Sequence, residues 1–171
     1  KRHTYFRSGV GKLLHMTRWS CPEVQNLVKE LARQGSAPVN AHVKAMHRAM
    51  QYCLATPNHG WLLKSTRVWD GKDKTFQFHS QGMADSDYAK CPVTRRSVSR
   101  YATFLEDAPV TVKSAMQKIV SLSVTEAETV AGVQCAKDML YVKRLLESIG
   151  LLVELPMILE IDNGGTVNLA N

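Results

Sequence analysis

Apolar positions recur at helical spacing through the first third of the chain, then give way to short β-prone runs. Ser20-Cys21-Pro22 opens one helix, because proline suits the first helical position, where its missing N–H costs nothing. Val24, Leu27, Val28 and Leu31 follow at three- and four-residue steps, and Gly35 is the expected stop. After the break Ser36-Ala37-Pro38, a second helix is expected from about Asn40, with Val43, Met46, Met50 and Leu54 on one side and Lys44 and Arg48 on another. Thr56-Pro57-Asn58-His59-Gly60 is dense in turn formers and marks a linker.

Beyond the linker the period changes. Trp61 to Leu63, Thr75 to His79, Tyr101 to Leu105, Val110 to Val112 and Ile119 to Leu122 are expected as strands, with a hairpin-type turn at Asp70-Gly71. A long helix is expected from about Thr125 to Ser148, closed by Gly150. A strand from Met157 to Ile161 then runs into Asp162-Asn163-Gly164-Gly165 and a further helix start. The pattern predicts a helical segment over residues 1–57 and a mixed α/β (α+β) domain over 58–171. With no initial methionine and a last residue inside an apparent helix, the chain reads as a C-terminally truncated piece.

Composition supports a folded core, with 44% hydrophobic and 22% charged residues, and no apolar run approaches the roughly 18 residues of a membrane span. No secretory leader is visible. The net charge of +7 is uneven: residues 1–79 hold 13 Lys/Arg against 4 Asp/Glu, and residues 80–171 hold 9 against 11. A basic half beside a carboxylate-rich one suits a polyanionic partner, and equally a solvated basic surface without one. Cys21, Cys53, Cys91 and Cys135 lack zinc-site spacing and read as packed, reduced thiols of a reducing, intracellular compartment. His42 and His47, five apart on a helix, fall off one face and do not form a metal pair.

Acids cluster at three separated places. Asp85 and Asp87 are expected just after the strand around Phe78, Glu126 and Glu128 lie in the first turn of the long helix, and Asp162 ends the strand Ile158-Leu159-Glu160-Ile161. Convergent carboxylates repel one another and need divalent cations to offset that repulsion. Two such ions can activate water and stabilise a leaving oxygen in phosphodiester cleavage. Steps of three and four from Glu128 meet Ala131, Gly132, Cys135, Met139, Val142, Leu146 and Ile149, an apolar stripe that should face a sheet. Steps from Glu126 meet a mixed set, which puts Glu126 nearer the rim; both acids also complement the helix dipole.

Ala84-Asp85-Ser86-Asp87-Tyr88-Ala89, followed by Cys91-Pro92-Val93-Thr94-Arg95-Arg96-Ser97-Val98-Ser99, resembles the ribonuclease H start of copia-type retrotransposons. Ala108-Pro109-Val110-Thr111-Val112-Lys113-Ser114, Gln117-Lys118, Ser121 to Glu128, Lys143-Arg144-Leu145-Leu146 and Ile161-Asp162-Asn163 continue the resemblance in order. Arg7-Ser8-Gly9-Val10-Gly11-Lys12-Leu13-Leu14 and Arg18 to Val24 look like the end of that family's reverse transcriptase and its connector. The resemblance implies a ribonuclease H-like fold, with a mixed five-stranded sheet flanked by helices, behind a small helical segment. It implies cleavage of RNA in RNA–DNA hybrids with magnesium (or manganese), within a larger reverse-transcriptase polyprotein. Carried over residue by residue, the catalytic acids fall on Asp85, Glu128 and Asp162, with Asp87 a further metal ligand. Arg95, Arg96, Lys113 and Lys118 are the expected grips on the nucleic-acid backbone.

Some positions depart from the family pattern: Lys90 and Arg100 replace usual glycines, Val112 a common tryptophan and Thr129 a common aromatic, and the fourth active-site position falls beyond Asn171. These departures keep a second reading open, a degenerate or host-co-opted fragment serving as a non-catalytic subunit of a larger assembly. Integrases and resolvases also use three carboxylates, but the order of blocks around Thr125-Glu126-Ala127-Glu128 favours ribonuclease H.

Overall fold

The computed structural model describes residues 2–170 and divides the chain into two compact units between Trp61 and Leu62. The first is helical: α1 (Arg2–Trp19), a 3-10 turn (Pro22–Val24), α2 (Gln25–Arg33) and α3 (Asn40–Ala55). Phe6, Val10 and Leu13 line one face of α1 and pack with Val28 and Leu31 of α2 and Met46, Ala49 and Cys53 of α3. Burying side chains such as Phe6 and Leu13 is worth roughly 1.5–3 kcal/mol each, and this shared core is what holds three modest helices together. Gly9 allows α1 to approach α3, since a Cβ there would lie 2.4 Å from the Met46 sulfur.

The second unit holds β1 (Gln77–Phe78), β2 (Ser80–Asp87), β3 (Val98–Leu105), β4 (Ala108–Met116), α4 (Val124–Ser148), β5 (Leu152–Val153), β6 (Ile158–Ile161) and α5 (Gly164–Ala170). It is a mixed α/β unit. Its main sheet runs β4-β3-β2-β6, with the β4–β3 and β3–β2 pairs antiparallel and β6 parallel to β2. The long connection between β2 and β6 carries α4, as a parallel pair requires. Four strands are seen in this sheet where five were expected, and β1 pairs separately with β5. The registers Gln77↔Leu152 and Gln81↔Ile158 differ by two residues, so β5 and β6 follow the same edge with a two-residue excursion between them.

Helix α4 packs on β2 and β3 and also touches β6. Ala131, Cys135 and Met139 meet Ala84 and Tyr101, with Leu159 and Ile161 alongside. Its start is fixed by Ser123, whose hydroxyl accepts from the Glu126 N–H at 3.1 Å, while the Glu126 carboxylate accepts from the Leu122 N–H at 2.6 Å. Its end is a Schellman turn: Gly150 (φ 81°) donates to the Glu147 carbonyl and Leu151 to that of Leu146.

Four expectations fail for physical reasons. Trp61 to Leu63 and Ile119 to Leu122 form no strand; Leu62, Leu63 and Leu122 are 74%, 73% and 87% exposed, so their β-prone side chains have no surface to pack on. Thr75 to His79 contributes only the two residues of β1. Asp85 and Asp87 lie within β2, not after the strand near Phe78. The sequence of β2 hides it, because Gly82, Ala84 and Ser86 are small where α4 comes close and β-branched residues are missing. Asp70 accepts from Lys72 and Asp73 N–H in a local loop rather than joining two strands.

Candidate metal centre

The parallel pair β2 and β6 brings two acids side by side. Ala84 is in register with Ile161, and the next residues along the chain are Asp85, within β2, and Asp162, just past the end of β6. Glu128 reaches the same point from the first turns of α4, on the buried side of that helix. One carboxylate oxygen from each of Asp85, Glu128 and Asp162 lies within 4.8 Å of the others. Asp85 and Asp162 are exposed and Glu128 is 4% exposed. Three elements distant in sequence thus deliver three negative groups to one place at the mouth of the sheet.

Glu128 is held asymmetrically. Its Oε1 accepts from both the N–H (3.2 Å) and the hydroxyl (3.0 Å) of Ser86. Its Oε2 is buried and has no hydrogen-bond partner. Burial pushes the Glu128 carboxyl above its usual range, the Ser86 bonds pull it back, and the charges of Asp85 and Asp162 add to the rise. A buried, unpartnered oxygen in a ring of like charges is costly unless a cation satisfies it. Hard oxygen donors of this kind suit magnesium or manganese, so the donor set and the unpartnered Oε2 fit such an ion.

Asp87 stands apart from the three. It pairs with the Arg100 guanidinium and lies 3.5 Å from Lys90 Nζ. Glu126 serves the helix start described above. Around the centre, Asn163 accepts from the Thr166 N–H at 2.9 Å, and the Thr166 hydroxyl donates to the Thr125 carbonyl at 3.2 Å, tying α5 to the start of α4. Buried Gln117 donates to Ser99 Oγ and the Ala127 carbonyl and accepts from the Ser121 hydroxyl, which fixes α4 against β3. Ser86 and Gln117 were not singled out from the sequence. The only signal for Ser86 was its alternation with Asp85 and Asp87, which turns it to the helix side.

The four basic residues fall in two places. Arg95 (φ 55°) and Arg96 are exposed on the β2–β3 loop, which is closed by the Cys91–Arg96 and Arg95–Cys91 backbone bonds. Lys113 and Lys118 line one groove of about 540 Å³ together with Tyr101, Gln117, Val130 and Gln134. Lys113 also lies 3.9 Å from Asp138 and over the Tyr101 ring. All four cysteines are buried thiols outside any disulfide, with burial pushing the thiol of Cys135 up to about 11. Among the described residues, no helix is long and apolar enough to cross a membrane.

The chain is 29% identical over 166 residues, 97% of its length, to the retrovirus-related Pol polyprotein from transposon RE1 of Arabidopsis thaliana. It is 27% identical over 146 residues, 85% of its length, to the corresponding polyprotein from transposon TNT 1-94 of Nicotiana tabacum. Over nearly its whole length the chain is similar to Pol polyproteins of copia-type retrotransposons. The chain spans about a tenth of those two relatives, 11% and 10% of their lengths. It is also 30% identical over 126 residues to secreted RxLR effector protein 161 of Plasmopara viticola, covering 74% of the chain and 82% of that protein. No family model and no solved structure matches it.

Proposed function

We propose that residues 62–171 of this chain are a ribonuclease H-like nuclease, hydrolysing the RNA strand of RNA–DNA hybrids during reverse transcription. The helical unit before it is proposed as the end of the reverse transcriptase and its connector. The observation that supports the reading most is the approach of Asp85, Glu128 and Asp162 to within 4.8 Å, with a buried, unpartnered oxygen on Glu128. Those three residues would hold magnesium or manganese. Bound there, two such ions supply a lowered pKa for attacking water and charge neutralisation at the leaving oxygen. Ser86 fixes the rotation of the Glu128 carboxylate, and the buried position of Glu128 excludes water from one side of the cluster. Arg95, Arg96, Lys113 and Lys118 are proposed to grip phosphates, with selectivity for the hybrid arising from the 2′-hydroxyls of its RNA strand.

The test is a hybrid labelled on its RNA strand, incubated with the full chain in magnesium and in manganese. Cleavage of RNA but not of duplex DNA, lost in Asp85→Asn, is the expected result. An intact RNA strand in both metals refutes activity of this chain.

A second reading, a retained but non-catalytic subunit, is favoured by two observations. Arg100 sits 3.7 Å from Asp85, and a similar stretch makes up most of a protein whose name is that of a secreted effector. Stoichiometric recovery of the chain in a complex, with the hybrid uncut, would support it.

A further inference from the structure

Arg100 lies opposite Asp85 in the antiparallel register of β2 and β3, so the two side chains emerge on the same face of the sheet. Its Nη1 is 3.7 Å from Asp85 Oδ2, and its Nη2 contacts Asp87 Oδ2. One guanidinium therefore spans two carboxylates of β2, one of which belongs to the three-acid cluster. Lys90 Nζ lies 3.5 Å from the same Asp87 oxygen. Asp87 is thereby an anchor for Arg100, and Asp85 faces a positive charge of the chain's own.

We propose that Arg100 is a tethered counter-ion of the carboxylate cluster, competing with a divalent cation for Asp85 and lowering the cation affinity of the centre. This rests on the reading of Asp85, Glu128 and Asp162 as a cation site. A divalent ion coordinated by Asp85 would stand about 5 Å from the guanidinium, allowing about 2 Å from metal to oxygen. At that separation, in the water-like surroundings of a half-exposed aspartate, repulsion of a double by a single positive charge corresponds to roughly a tenfold change in affinity. The ion pair itself is exposed and adds little to folding. Its consequence is for occupancy.

Manganese binding to the full chain, measured by calorimetry and by the paramagnetic signal of free Mn²⁺ at low ionic strength, tests this. Arg100→Gln, which keeps a polar stem and removes the charge, is expected to bind manganese about tenfold more tightly than the parent. Arg100→Lys, which keeps the charge, is expected to stay within about twofold. The gap between parent and Arg100→Gln should also narrow as salt is raised toward 1 M, where the screening length falls to about 3 Å. Equal or weaker binding by Arg100→Gln, while Asp85→Asn abolishes binding in the parent, overturns the counter-ion role and leaves the cation site standing. Absence of manganese binding in parent and variants alike overturns the site and the counter-ion role with it. Circular dichroism of each variant guards against misfolding, and Arg100→Lys keeps the proposal open to refutation if Arg100→Gln does not fold.

Discussion

Ser86 grips a single oxygen of Glu128 with two donors, its N–H at 3.2 Å and its hydroxyl at 3.0 Å, and leaves the other oxygen buried and unpaired. A strand residue thus orients a helix carboxylate whose ionisation the surroundings oppose. The folded-state pKa of Glu128 is raised, mainly by burial. For an acid shifted in that direction, no cost is felt below the unfolded pKa. Stability is lost as pH rises between the unfolded and folded values, and stays lost above them.

Replacing Glu128 by Gln removes that cost. Without divalent cations, Glu128→Gln is expected to melt above the parent at pH 7–8, with the difference shrinking as pH falls below the carboxylate range. The same variant should lose manganese affinity by at least about 100-fold, since removing an outer-shell partner alone typically costs 10- to 100-fold. Ser86→Ala, which deletes one such partner, should lose about tenfold. Thermal melts across pH together with calorimetry check both; a Glu128→Gln chain less stable than the parent at pH 8 contradicts the electrostatic account.

Glu106 shows the opposite linkage. It is buried in a two-residue hairpin loop between β3 and β4, with φ of 51° and 63° at Glu106 and Asp107, the geometry of a type I′ turn. Arg67 Nε and Nη2 donate to its two oxygens at 2.8 and 2.5 Å, and the His79 N–H donates at 2.6 Å. The Arg67 bond first, and then the His79 N–H, hold the carboxyl below its usual range despite burial. Its stabilisation is present above the unfolded pKa and disappears as pH falls through the lowered folded value. Glu106→Gln is expected to cost about 2 kcal/mol in urea unfolding at pH 7, the scale of a charged hydrogen bond. As pH falls from 7 to 3 the difference between variant and parent should shrink. An equal penalty at both pH values would remove the charge from the explanation.

Much of this arrangement is legible in the sequence wherever periodicity runs long. The helix expected from about Thr125 to Ser148 and its Gly150 stop follow from local pattern, and α4 runs Val124–Ser148; the apolar stripe turns Glu128 inward. Short strands are a different matter. β2 carries Gly82, Ala84 and Ser86 on its buried side because α4 needs room, and that need is tertiary, so the strand bearing Asp85 reads as a loop. Exposed runs such as Leu62-Leu63 carry strand propensity with no partner to satisfy it. The pairing of Asp87 with Arg100 was equally hidden: 13 residues separate them, and only the β2–β3 register brings them together.

Asp162 and Glu160 allow a test within one strand. Both are acids of the β6 region, but only Asp162 stands one residue past the Ala84↔Ile161 pair and joins the cluster; Glu160 is registered with Met83, farther back. Asp162→Asn is expected to weaken manganese binding by at least about tenfold, and Glu160→Gln to leave it within about twofold. Asn163 still caps Thr166 in either variant, so neither should alter the far-ultraviolet spectrum. Equal losses in the two would mean that general negative charge, not convergent geometry, attracts the ion.

Gly82 lies where β2 passes beneath α4. A Cβ at this position would come within 2.6 Å of both Cys135 Sγ and Met139 Sδ, and 3.3 Å from Leu159 Cδ1. The Met139 end can swing aside, but the Cys135 sulfur sits on a short side chain that is fully buried, so the strand or the helix must shift. Gly82→Ala is therefore expected to cost about 1–3 kcal/mol, the usual range for overpacking a filled core. Because α4 carries Glu128 and β2 carries Asp85, the same shift should separate the two acids. Cys135→Ala removes the sulfur that obstructs the new methyl. The double variant Gly82→Ala with Cys135→Ala should then recover part of the loss, giving a non-additive cycle of the kind expected for residues in contact. Strictly additive unfolding energies would show that the close approach of β2 to α4 does not limit stability at this position.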